Sequence, residues 1–289
     1  MAGLALKCGS AQKLKQLADH YSVNCDDASL ALGLRLIGDN EEDAFVNTRS
    51  CSFDGVNEYI TVGDVSELQF ESTDAWSASI WFKTSYTGVQ YLFAKRQKQT
   101  NWPYTYRGYS LAIRSGDIKF DKCNGTSSSA LEVRSYTTAG QYADGNWHNI
   151  VVTDDGSGNA SGIQFYMDGV AMTMTTIWDT LGSNTIITNE PFQWGVRGSA
   201  LTSFQGYWNG YLDEGSVWSK ELSGTEVVEM QNDGVVGDLL DHSAAAALVH
   251  WLRFGDTENY PTLFDGSVNS NDGTMVNMED ADIAVDAPA

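Results

Sequence analysis

Between about Ser50 and Gly234 the chain alternates short apolar runs with clusters of Gly, Asp, Asn and Ser. "EYITVG", "SASIWFKT", "VQYLFAK", "GYSLAIRS", "DIKFD", "WHNIVVTD", "GIQFYMD", "FQWGV" and "GYWNGYLDEGSVWS" are rich in β-branched and aromatic residues and bounded by turn formers. That pattern predicts strands. Their close spacing, with no helical period between them, predicts an all-β, antiparallel sandwich of two sheets. One hairpin can be drawn residue by residue. His148, Ile150 and Val152 share a face of its first strand, and Trp147, Asn149 and Val151 share the other. In its second strand Ile163, Phe165 and Met167 alternate with Gln164, Tyr166 and Asp168, and Asp-Gly pairs at 144–145 and 168–169 supply the flanking turns. A histidine among aliphatic neighbours on one strand face is expected to be a core residue with hydrogen-bonded nitrogens. His148 is therefore read as structural, not catalytic.

The flanks follow other patterns. In "SAQKLKQLADHY", Leu14, Leu17 and Tyr21 have helical spacing and Ser10 is a plausible N-cap. "NCDDASLALGLRLIGDN" fits a helix or a strand, since its leucines also alternate. Residues 1–48 are thus expected to form a short helical N-terminal extension. It is too small to hold a core of its own, so it should dock on the main domain or on another subunit. Residues 49–242 form the expected sandwich, and residues 243–289 contribute one more strand and an acidic tail.

The 289 residues carry a formal net charge of −21, with 38 Asp and Glu against 17 Lys and Arg. That charge argues against nucleic acid or an anionic membrane as partner. No apolar stretch is long enough to span a bilayer. "MAGLALKCGSAQKLKQ" lacks a charged leader followed by a long apolar run, so no secretory signal is expected. Cys8, Cys25, Cys51 and Cys123 contain no Cys-x-x-Cys pair, which disfavours zinc and thioredoxin-like chemistry. Free thiols are the expectation, and the sequence leaves their oxidation state open.

"FDGVNEYITVG", "ASIWFK", "YLFAKR", "YSLAIRSGDIKF", "DGNWHNIVVT", "IQFYMDG" and "GYLDEGSVWSKELSGTEVVEMQNDG" follow one another in the order typical of laminin-G-like domains. The chain resembles that branch of the concanavalin-A-like lectin/glucanase superfamily over about 185 residues. The resemblance implies a jelly roll, with a short helix after the last strand between the Ser223-x-x-Glu226 capping box and Gly234. "LVHWLRFGDTENYPTLFDGSVNSNDGTMVNM" resembles the segment that normally precedes the "FDG" strand, yet here it comes last. A permuted order is inferred, with Val249 to Phe254 supplying the strand usually placed first. The tail would then lie over the surface or touch a neighbour.

Fold does not give function in this superfamily. Its retaining glucanases carry Glu-x-Asp-x-x-Glu on a strand, and that motif is absent here. The nearest acidic pair, Asp213-Glu214, is adjacent in a strand and should point to opposite faces. No enzyme is expected. Related domains often bind calcium through loop oxygens. "DDGSGN" (Asp154 to Asn159) and "DGSVNSNDG" (Asp265 to Gly273) are oxygen-rich but lack EF-hand spacing, so no cofactor and no metal ligand is assigned. A binding site is expected in "KRQKQTNWPYTYRGY" (Lys95 to Tyr109), read as a long loop and a basic island. Its leading residues are Trp102, Tyr104, Tyr106 and Arg107, because aromatic faces stack on sugar rings and arginine bonds hydroxyls or acidic sugars. An acidic, unexported chain of this kind resembles the lectin-like structural proteins of bacteriophage particles. The expected role is a non-enzymatic virion structural protein, as capsid decoration or tail appendage. Its partners would be other virion proteins, through residues 1–48 and the acidic tail, and a host-surface glycan, in an oligomeric or assembled state. The alternatives are a bacterial surface lectin, placed at the cell surface, and a glycoside hydrolase of the same fold.

Overall fold

A computed structural model describes residues 45–98, 106–114, 116–126, 129–138, 140–199, 202–256 and 260–289. Of the expected helical extension, residues 1–44 lie outside the described residues. The rest is a sandwich of two antiparallel sheets, as the strand pattern predicts, of nine and eight strands.

The larger sheet runs, in spatial order, through Thr175–Asp179, Ala130–Tyr136, Asp117–Asn124, Tyr106–Arg114, Gln90–Lys98, Phe192–Trp194, Tyr59–Gly63, Gly273–Val276 and Thr262–Leu263. The smaller sheet is centred on Ala75–Lys83 and Asn209–Trp218, with the hairpin Trp147–Asp155/Ile163–Met167 on one side. On the other side, two segments far apart in the chain share one edge of Asn209–Trp218. Ser50–Asp54 pairs with its first half, from Asn209 to Leu212. Leu248–Leu252 pairs with its second half, from Gly215 to Trp218. The C-terminal residues also enter the larger sheet, where Gly273–Val276 pairs with Tyr59–Gly63.

Alternation puts the apolar half of each strand between the sheets. Trp76 stacks on Phe70 at 4.8 Å and meets Tyr109, Phe93 and Phe120 around it. Two lysines are also buried. Lys122 bonds Asp154 at 2.5 Å and the Ser72 carbonyl at 3.0 Å, and Lys95 bonds Asp64 at 2.6 Å and the Glu190 carbonyl. Each buried ammonium is thereby paired, as burial demands.

A second apolar layer lies on the outer face of the smaller sheet. Val151, Trp218 and Trp251 pack there against Val227 and Met230 of the helix Gly224–Gln231. Ser223 and Glu226 form the expected capping box. The helix stops earlier than expected, because Asn232 takes the left-handed conformation (φ 42°) that was assigned to Gly234. The acidic tail folds back on this same outer face. Asp286 bonds Lys83 at 2.7 Å and the Trp147 indole at 3.0 Å, and the Val236 amide donates to the Ala289 carbonyl at 2.6 Å. Among the described residues no helix is long and apolar enough to cross a membrane.

Candidate functional site

The outer face of the larger sheet is polar in composition, and the described helix Gly224–Gln231 packs on the smaller sheet instead. Register aligns Trp178, Glu132, Asp121, Ser110, Ala94 and Gln193 in one row across six neighbouring strands. The middle of the row is small, and larger side chains stand at its ends. Trp178 and Tyr136 are 57% and 60% exposed on the side of the edge strand. The rest of the row, from Glu132 to Gln193, is buried.

Charge on this face is laid out as a network. Lys119 pairs with Glu132 at 3.0 Å, and Arg134 pairs with Glu132 at 2.6 Å and Asp117 at 2.9 Å. Arg96 is buried against Asp121 and donates to Ser110 at 3.0 Å. Burial by itself would lower the pKa of Arg96 and raise that of Asp121. The ion pair outweighs it, so Arg96 is raised and Asp121 held well below the carboxylate range. Burial pushes the neighbouring Cys123 thiol up to about 11, so it is no nucleophile at neutral pH. Arg96, Arg114, Lys119 and Arg134 share three carboxylates, Asp117, Asp121 and Glu132, and Arg197 adds a further cation over Tyr106. In so acidic a chain this is a local excess of positive charge.

At the far end of the face, aromatic and cationic groups interleave. The hairpin Arg197–Ser199/Thr202–Gln205 packs against Gln90–Lys98. It brings the Arg197 guanidinium 4.9 Å from the Tyr91 ring and 4.6 Å from the Tyr106 ring. Arg96 approaches Tyr106 at 5.0 Å. Cation–π contact of this kind restrains the side chains.

Of the residues expected to lead the site, Trp102 and Tyr104 lie outside the described residues. Tyr106 and Arg107 are adjacent in a strand and so take opposite sides. Tyr106 joins the outer face. Arg107 has the parity of the core residues Tyr109 and Leu111, and its Nε donates to the Asn124 carbonyl at 3.0 Å. The supposed loop is mostly strand, since Gln90–Lys98 and Tyr106–Arg114 run paired to Lys98 and Tyr106. Lys95 and Tyr109 are buried between the sheets, so of that segment the basic island keeps Arg96 beside Tyr106. It arises on the sheet face, where the sequence reading missed Tyr91, Arg197 and Trp178. Only alternation within each strand hinted at them.

The acidic pair departs from expectation. A bulge at Asp213/Ser216 and a left-handed Glu214 (φ 49°) turn both carboxylates to the outer side of the smaller sheet. Gly215 faces inward instead, where a Cβ would meet Trp194 at 3.0 Å and Phe254 at 2.8 Å. The Asn47 amide donates to Asp213 at 3.1 Å, while Glu214 accepts from the Trp251 indole at 2.5 Å and from Arg253 Nε at 3.3 Å. Both acids are buried. Burial, then the Glu214 charge, pushes Asp213 well above the usual range, and burial pushes Glu214 up to about 7.

His148 has both nitrogens engaged as expected, Nδ1 2.8 Å from Asp168 and Nε2 3.3 Å from Asp144, but it is only partly buried and not a core residue. The two oxygen-rich loops have their carboxylates engaged. Asp154 bonds Lys122, and Asp265 accepts from the amides of Trp251, Ser267 and Asn271. Among the described residues no group of His, Cys, Asp or Glu is arranged to hold a metal ion.

The model of a family described as the concanavalin A-like lectin/glucanases superfamily matches residues 54–228. Solved structures share the fold at low identity. A candidate carbohydrate binding protein from Bacteroides ovatus is 14% identical with a TM-score of 0.53, covering 84% of this chain, which spans 63% of that protein's length. A heptameric SAP-like pentraxin from Limulus polyphemus is 14% identical (TM-score 0.44; 65% of this chain, 83% of the other). The CBM40 of the Ruminococcus gnavus IT-sialidase, bound to alpha2,3 sialyllactose, is 11% identical (TM-score 0.45; 65% and 97%). No curated protein matches the sequence.

Proposed function

The chain belongs to the concanavalin A-like lectin/glucanases superfamily, and we propose that it is a non-enzymatic, lectin-like protein that binds a glycan across the outer face of its larger sheet. The observation that carries this reading is the row from Trp178 through Ser110 to Gln193, with exposed rings at one end and the Tyr91–Arg197–Tyr106 stack near the other. Sugars are bound by such surfaces because their axial C–H faces lie on rings while hydroxyls bond the flanking charged groups. Trp102 and Tyr104 belong to the proposal, since they lie between the strands that carry Arg96 and Tyr106. The buried state of Asp213 and Glu214, closed off by Asn47, Trp251 and Arg253, favours binding over hydrolysis.

The reading extends to setting. The protein is a virion structural component, a capsid decoration or tail appendage, that joins other virion proteins through residues 1–48. The strong acidity and the segment ahead of the sandwich support this. The tail folds onto its own sandwich, so the attachment is assigned in this reading to the N-terminal segment. A glycan array with wild type, Trp178→Ala, Tyr106→Ala and Trp102→Ala tests the binding function. Binding by wild type that each change weakens is expected, and binding by none of the four proteins refutes it. Electron microscopy of particles from the native source tests the setting.

A further inference from the structure

We propose that Arg197 is the anion-reading residue of this face, so that the bound glycan carries a carboxylate, as in a uronic or nonulosonic acid sugar. The inference rests on the glycan reading above and names its ligand class.

Arg197 differs from the other cations around it. Arg96, Arg114, Lys119 and Arg134 each pair with a carboxylate of the same face. Arg197 makes no ion pair among the described residues, and its single side-chain hydrogen bond goes from Nη2 to the neutral Gln205. A guanidinium that has 38 Asp and Glu residues in its own chain and pairs with none of those described is positioned for something else.

Its placement is also built. Two tyrosines fifteen residues apart in sequence converge on it from strands that the sheet brings together. Tyr91 is 7% exposed and cannot swing away, and Tyr106 is also in contact with Arg96. The two ring contacts restrain the guanidinium, and its Nε and Nη1 make no hydrogen bond among the described residues. A planar fork held in this way matches a planar carboxylate. Nearby, the Nε of Arg96 is buried with no hydrogen-bond partner, a second donor on the same face whose desolvation nothing yet offsets.

Neutral residues around the fork sharpen the selectivity. Ala94, Ala112 and Ser110 line the neighbouring strands and offer no competing negative charge. Asp121, on the same face, is already committed to Arg96 and Ser110. A carboxylated sugar entering here meets a cation that has not been neutralised in advance.

The test uses the full chain and oligosaccharides ending in glucuronate, galacturonate or N-acetylneuraminate, each beside its carboxyl-reduced neutral counterpart. Binding is titrated by calorimetry with wild type, Arg197→Gln and Arg197→Lys, after melting curves confirm that the variants fold. At least one acidic oligosaccharide should bind wild type more tightly than its reduced form and weaken as salt rises. Arg197→Gln should weaken that binding about tenfold or more, as loss of a charge-assisted pair implies. Arg197→Lys should recover only part, because it keeps the charge without the fork. Binding of the reduced forms should fall less than that of the acidic forms in both variants. If folded Arg197→Gln binds the acidic sugars as wild type does, or if wild type prefers the reduced forms, the inference fails while the glycan reading stands. If wild type binds no member of either series, both fail.

Discussion

Replacing Glu214 by glutamine should change how stability responds to pH more than it changes stability at any one pH. Glu214 is buried beside Asp213, and its pKa is raised from 4.5 to about 7 by burial, against the opposing pull of Arg253 and Trp251. A carboxyl whose folded pKa is raised binds its proton more tightly in the native state. Its contribution is therefore complete below the unfolded pKa and is lost as pH rises through the folded one. A displacement of this size corresponds to roughly 3 kcal/mol, lost between about pH 4.5 and pH 8. Glutamine cannot ionise, yet its carbonyl can still accept from the Trp251 indole. The variant should carry a small constant penalty from an amide facing Arg253, about 1 kcal/mol. Its advantage over wild type should grow by roughly 2 to 3 kcal/mol from about pH 5 to pH 8. Urea unfolding of both proteins at several pH values measures this difference directly. Parallel stability curves would show that Glu214 does not hold its proton through that window, and the account of the bulge as a proton-holding site would be wrong.

Lys122→Met should destabilise the protein by about 3 to 5 kcal/mol, since it strands Asp154 in the interior; the double change Lys122→Met with Asp154→Leu should recover most of the loss in chemical denaturation, and failure to recover would mean the pair itself carries the stability. His148→Ala should cost roughly 1 to 3 kcal/mol. Burial opposes charging of His148, but its bonds to Asp168 and Asp144 prevail and raise its pKa. The stabilisation it provides is thus full below about pH 6.5 and lost as pH rises through the folded value. Denaturation at about pH 6 and pH 8 should show the larger loss at the lower pH, and an equal loss at both would remove the charged-histidine explanation.

The strand pattern, the hairpin through His148 and the capping box at Ser223 were all legible in the sequence. Each depends on residues within a few positions of one another, where alternation, turn formers and capping chemistry act locally. The same locality explains why part of the site could be read and part could not. Tyr106 was identifiable as an aromatic in a basic stretch, but Arg107 was assigned to the same surface although strand alternation sends it inward. The burial of Lys95, Arg96 and Lys122 was invisible because their partners, Asp64, Asp121 and Asp154, lie 31, 25 and 32 residues away. Asp213 and Glu214 ended on one side because a single left-handed residue breaks the period of two, and nothing in the spacing of "LDEGS" declares a bulge. Arg197 gained its role only when a hairpin laid it between Tyr91 and Tyr106. Alternation decides which side of its own strand a residue takes. The neighbours it meets there are decided by register between segments distant in the chain, and register is a property of the assembled sheets.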